Sequence, residues 1–180
     1  MRYLPNIITC IRLILVPAFC YYLLKDNNTA AGIIFICAAI SDVIDGYLAR
    51  KFNWISNFGK LADPFADKIM QISAIIILCM QGKLMVWMMI AVFLKDSLLI
   101  IGALLVKFRY KFTVDAKWYG KAATVLLNLV IAVCVLFDPP LQLIGIIMIF
   151  TILFEYFALT MYSINFFSLL KKFNNEKRVA

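Results

Sequence analysis

An all-α integral membrane protein with six transmembrane helices is the fold class this chain predicts, and three observations predict it. Of its 180 residues, 64% are apolar, and the mean hydropathy is +0.93, whereas soluble domains run about 45–50% apolar. The apolar residues fall into six stretches. At about 20 residues per span, six crossings use roughly 120 positions, which leaves short connections and no separate soluble domain. The basic residues crowd alternate connections, as the positive-inside bias requires of a chain that weaves through a bilayer.

The first stretch, 7–24, ends in Lys25-Asp26-Asn27-Asn28 rather than at a small-residue cleavage site, so it reads as a retained span and not as a signal peptide. Further spans are expected over about 30–49, 63–80, 84–106, 122–137 and 139–170. Lys25 and Lys83 are the only bases following the first and third spans. Arg50, Lys51 and Lys60 lie between the second and third, and Lys107, Arg109, Lys111, Lys117 and Lys121 between the fourth and fifth. Lys171, Lys172, Lys177 and Arg178 follow the sixth. Both termini and the basic connections are therefore expected on the cytoplasmic side. The net charge of +8 and the pI near 9.3 express this bias and an attraction to anionic headgroups, not a nucleic-acid surface.

The five cysteines lie singly in apolar stretches, so neither a disulfide framework nor a zinc site is indicated. Histidine is absent. Proton or metal chemistry must therefore fall to carboxylates.

Of the ten acidic residues, Asp42, Asp45, Asp63 and Asp67 share one window, at the end of the second span and the start of the third. Asp42 and Asp45 are spaced i, i+3 and Asp63 and Asp67 i, i+4, so each pair projects from one face of its own helix. Two helix ends can converge four carboxylates. An aspartate in hydrocarbon costs about 2.5–3.5 kcal/mol on insertion scales, and facing like charges cost more, so the cluster calls for divalent cations. Oxygen-only ligands favour Mg²⁺ or Mn²⁺, and four carboxylates suffice for two ions. Gly46 and Ala49 leave room for a bulky ligand beside Arg50, and Gly59 can supply a tight turn. A structural alternative stands beside this. Asp63-Pro64 also reads as a helix N-cap followed by proline at the first helical position, and Arg50, Lys51 and Lys60 also read as topology signals.

The full spacing, Asp42-x2-Asp45-Gly46-x2-Ala49-Arg50-x8-Gly59-x3-Asp63-x3-Asp67, resembles in every element the signature of the CDP-alcohol phosphatidyltransferases. The resemblance implies that family's fold, six transmembrane helices with the signature across helices two and three, and a single catalytic domain over 1–180. It implies a two-metal site, Mg²⁺ or Mn²⁺, acting on the pyrophosphate of CDP-diacylglycerol. Asp42, Asp45 and Asp63 would be metal ligands, and Asp67 both a ligand and the catalytic base. Gly46, Arg50 and Ser56 would hold the cytidine diphosphate, and Asn6-x-x-Thr9 resembles a nucleotide-contacting segment. A homodimer in a bacterial cell membrane is implied as well.

The opening Leu4-Pro5-Asn6-Ile7-Ile8-Thr9, with Arg12, Pro17 and the run Phe58 to Lys68, resembles the branch of the family whose acceptor is glycerol 3-phosphate. A similar branch uses phosphatidylglycerol. A phosphorylated acceptor needs cations, for which Arg109 and Lys121 are the candidates, and Gly120-Lys121-x-x-Thr124 resembles a motif shared by the family. A small cation carrier is the reading from a different class, since intramembrane acids also mark ion pathways. Outside the cluster, Lys95 and Glu155 fall at similar depth at about 1.5 Å per residue, so Lys95 is expected to be neutralised by Asp96 or Glu155 as a structural clamp.

Overall fold

A computed structural model describes the backbone of residues 4–52, 59–110 and 117–179, and the side chains of residues 11–41, 44, 51–52, 65–106 and 117–166. Among these residues the chain forms six helices: α1 Leu4–Leu24, α2 Asn28–Lys51, α3 Gly59–Met80, α4 Val86–Tyr110, α5 Trp118–Phe137 and α6 Leu141–Val179. Three stretches, Val86–Val106, Trp118–Phe137 and Leu141–Phe166, are long and apolar enough to cross a membrane. The described apolar parts of α1 and α2, Ile11–Leu24 and Asn28–Ser41, are shorter.

Several helix limits differ from those expected of the sequence. Lys107 and Arg109 lie inside α4 and Lys121 inside α5, not in a connecting loop, and Arg50 and Lys51 close α2. Lys60 falls within α3, and the basic C-terminal residues continue α6 to Val179. The physical reason is shared. Apolarity marks the part of a helix that meets lipid, while Lys and Arg are good helix formers, and at a helix C-terminus their charge complements the dipole. Asp63 and Pro64 also lie inside α3, a turn past its first residue Gly59, so Asp63 does not cap the helix and Gly59 opens it. Pro64, the sixth residue of α3, forgoes the hydrogen bond that an N–H there would make to the carbonyl of Lys60.

The chain divides into two compact units, one of 1–84 with 128–144 and the other of 85–127 with 145–180. In the first, α1 packs along α2 and against α3, and α2 meets α3. Ala31, Ala38, Ala66 and Ala74 are buried beside Phe19, Leu23, Phe35 and Leu78. Small residues at such positions let helix backbones approach closely, the main source of packing energy where lipid is as apolar as the core. Phe19 and Phe35 meet with ring centroids 5.6 Å apart. Pro17 sits within α1, where surrounding helices and bilayer tolerate it better than water would.

Three short turns close the end of this unit where α1, α3 and α5 finish. Asp26, Gly82 and Asp138 adopt positive φ of 55°, 72° and 45°, the left-handed conformation that commonly ends helices. The Asn27 and Lys83 N–H groups donate five residues back, to Tyr22 and Leu78, and the Asn27 side chain accepts from the Ala30 N–H to cap α2. Gln81 Nε2 donates to the Leu23 carbonyl and to Asp26 Oδ1, at 2.7 and 2.9 Å. Lys83 Nζ lies 3.1 Å from Asp138 Oδ1. These polar ties join the turns that precede α2, α4 and α6.

In the second unit, Tyr119 and Ala123 of α5 are buried with Ala158 of α6, and Phe154, Met161 and Tyr162 pack on them. A Cβ at Gly120 would run into the Tyr162 hydroxyl, so glycine allows this close crossing. Tyr162 in turn accepts a 2.9 Å hydrogen bond from the Lys117 N–H, and Asn165 Nδ2 donates to Tyr119 Oη at 2.7 Å. Deeper in the unit, Lys95 Nζ lies 2.9 Å from Asp96 Oδ1 and 3.1 Å from Glu155 Oε1. Lys95 is 8% exposed and Glu155 1%. The clamp expected from helix depth is present, with both acids engaged rather than one.

Candidate active site

The four motif aspartates stand on two helices that touch: Asp42 and Asp45 in the last three turns of α2, Asp63 and Asp67 in the first three of α3. Both helices run uninterrupted through these positions, so the i, i+3 and i, i+4 spacings do place each pair on one helix face. Among the four, the side chain of Asp67 is described; those of Asp42, Asp45 and Asp63 lie outside the described residues, as do those of Asn6, Thr9, Arg50 and Arg109. Gly46 lies in α2, Asn6 and Thr9 in the first turns of α1, and Arg109 in the last turn of α4. Ser56 lies outside the described residues altogether. Lys121 is exposed in the second turn of α5 and belongs to the second unit.

Asp67 is met by a residue whose role the sequence did not disclose. Arg12 of α1, 1% exposed, donates from Nη1 to Asp67 Oδ1 at 2.9 Å, while the Asp67 side chain is 41% exposed. A signal was present, because a lone arginine inside the first apolar stretch needs an acceptor. What apolarity could not tell was which of the ten acids supplies it.

One residue on, Lys68 Nζ donates to Gln71 Oε1 at 2.6 Å, and Gln71 Nε2 donates to Asn128 Oδ1 of α5 at 3.0 Å. Gln71 is buried. Arg12, Asp67, Lys68, Gln71 and Asn128 thus make a polar seam through the first unit, tying α1 and α5 to the turn of α3 that bears Asp67.

Among the described residues, which do not include the side chains of Asp42, Asp45 and Asp63, no group of three or more His, Cys, Asp or Glu is placed to hold a metal ion. The donor chemistry fits a hard divalent cation. The chain has no histidine, and Asp67 presents a partly exposed carboxylate oriented by a buried cation.

The fold is all-helical with spans long and apolar enough to cross a membrane, and comparison with known proteins gives the class of the chain. The sequence model of the CDP-alcohol phosphatidyltransferases matches residues 2–161, and the chain belongs to that family of enzymes. It is 32% identical over 157 residues to the Bacillus subtilis (strain 168) protein named CDP-diacylglycerol–glycerol-3-phosphate 3-phosphatidyltransferase, an alignment covering 79% of this chain and 81% of that one. A protein of the same name from Aquifex aeolicus (strain VF5) is 32% identical over 127 residues, 69% of this chain and 71% of that one. A Mycobacterium tuberculosis (strain ATCC 25618 / H37Rv) protein provisionally named a cardiolipin synthase is 32% identical over 121 residues, 67% of this chain and 58% of that one.

Proposed function

We propose that the chain transfers the phosphatidyl group of CDP-diacylglycerol to glycerol 3-phosphate, releasing CMP and leaving phosphatidylglycerophosphate in the bilayer. The observation that carries this is the complete four-aspartate signature on the touching helices α2 and α3. The names of the Bacillus and Aquifex relatives support the choice of acceptor.

Asp42, Asp45, Asp63 and Asp67 hold two divalent cations, Mg²⁺ or Mn²⁺. Such ions, when bound, neutralise the pyrophosphate and stabilise the charge on departing CMP. Asn6, Thr9, Gly46, Arg50 and Ser56 hold the cytidine diphosphate. Arg109 and Lys121 hold the phosphate of the acceptor. Asp67 takes the proton from an acceptor hydroxyl, whose oxygen attacks the lipid-bearing phosphorus in line as the bond to CMP breaks. The acyl chains stay in the bilayer throughout.

Residues 1–180 act as one transmembrane catalytic domain of six spans in a bacterial cell membrane, with both termini and the site on the cytoplasmic side, working as a homodimer. Helix length supports six crossings: α1, α2 and α3 have 21, 24 and 22 residues, or about 30–36 Å at 1.5 Å per residue.

The test offers glycerol 3-phosphate, phosphatidylglycerol, inositol phosphate and serine separately to the purified chain with CDP-diacylglycerol and Mg²⁺ or Mn²⁺, and identifies the lipid formed. Phosphatidylglycerophosphate from the first alone is expected. Cardiolipin from the second would move the chain to the reading that the mycobacterial name favours. Metal flux into liposomes without CMP release would make it a carrier.

A further inference from the structure

We propose that Arg12 is a positioning residue for Asp67, a part of the catalytic apparatus supplied by α1. The proposal rests on the reading of Asp67 as base given above. Arg12 and Asp67 are 55 positions apart in sequence, yet the guanidinium reaches the carboxylate at 2.9 Å.

The burial of the two partners is the informative feature. Arg12 is 1% exposed, while Asp67 is 41% exposed. A carboxylate open to that extent is well solvated and needs no buried cation for its own stability, whereas a guanidinium in a helix core is expensive to keep. The second unit provides the contrast. There Lys95, Asp96 and Glu155 are all withdrawn from solvent, with side chains 8%, 14% and 1% exposed, as befits a clamp whose members neutralise one another. Arg12 instead reaches out of the core to an acid that faces outward.

What that arrangement supplies is orientation. A guanidinium is planar, and its donors point in fixed directions, so an N–H held on Oδ1 restrains rotation of the whole carboxylate. A general base has to stay within hydrogen-bond reach of the proton it removes, and misplacement by an ångström lowers rate more than binding. The chain of hydrogen bonds from Lys68 through Gln71 to Asn128 anchors the same turn of α3 from the side of α5. Asp67 is thereby fixed both through its carboxylate and through its helix.

The test uses the full-length protein in detergent with Mn²⁺, CDP-diacylglycerol and glycerol 3-phosphate. Arg12→Lys, which keeps the charge but not the planar fork, should lower kcat by about 30-fold while the KM values of both substrates change by less than about threefold. In parallel, melting temperatures of Arg12→Gln, Asp67→Asn and the double variant should be non-additive, the double variant melting no lower than the worse single one. An unchanged kcat in Arg12→Lys overturns the proposal. So does a rise in the CDP-diacylglycerol KM matching the fall in kcat, which would make Arg12 a substrate-binding residue, and so do additive melting losses. Failure of the underlying reading looks different: the wild-type chain would then release no CMP, while the melting cycle would still report the contact.

Discussion

Asp67 carries two roles in the proposed reaction, ligand and base, and substitution separates them. Asp67→Asn keeps an oxygen that can meet a cation but cannot take up the proton. CMP release should fall by at least about 10³-fold while CDP-lipid binding, measured by equilibrium titration, changes by less than about fivefold. Alanine at Asp42, Asp45 or Asp63 deletes a ligand, and the Mn²⁺ concentration for half-maximal rate should rise by about tenfold or more. If Arg109 and Lys121 hold the acceptor phosphate, glutamine at either should raise the glycerol 3-phosphate KM about tenfold and leave the CDP-lipid KM within about threefold. In the buried triad, Glu155→Gln keeps an acceptor oxygen but leaves Asp96 as the one carboxylate facing Lys95 among the described residues. It should lower the melting temperature by an amount corresponding to about 1–3 kcal/mol, with substrate KM values unchanged. The meeting of Lys95 and Glu155 was legible in the sequence because depth along two spans can be counted. The meeting of Arg12 and Asp67 was not, because apolar stretches do not reveal which helix faces oppose each other.

Helices differ in how much of their extent a sequence reveals. The six apolar stretches locate the six helices, but the ends of α2, α4, α5 and α6 extend past them through lysines and arginines, which are compatible with helix and incompatible only with hydrocarbon. Reading charge as loop therefore moved Arg109 and Lys121 out of the helices that carry them. Two glycines test the account of how elements are joined. Gly82 has φ +72° and open space around a would-be Cβ, so Gly82→Ala should lower stability by about 1 kcal/mol through backbone strain alone, read from thermal melts. Gly120→Ala acts through contact instead. Its methyl must displace the Tyr162 ring and with it the hydrogen bond to the Lys117 N–H. A larger loss of stability is expected there, and because Lys121 is the next residue, a raised acceptor KM with it.

At the scale of the whole molecule, the family was legible, as was the placing of the four motif aspartates on α2 and α3, because fixed spacing on helices survives without knowledge of packing. Eight matched positions from Asp42 to Asp67 specify which residues share a helix face. The polar seam from Arg12 to Asn128 depends on three helices brought together from distant parts of the chain, and no local pattern encodes it. The central claim is that this membrane domain uses its aspartate cluster and divalent metal to move a phosphatidyl group onto glycerol 3-phosphate. The most direct measurement is the stoichiometry of CMP and phosphatidylglycerophosphate formed by the purified chain from CDP-diacylglycerol and glycerol 3-phosphate, as Mn²⁺ is titrated into chelator-stripped protein. The account predicts no product without metal and equal amounts of CMP and phosphatidylglycerophosphate, saturating together, once it is added. Products at full rate in chelator, or CMP released without the lipid product, would contradict it.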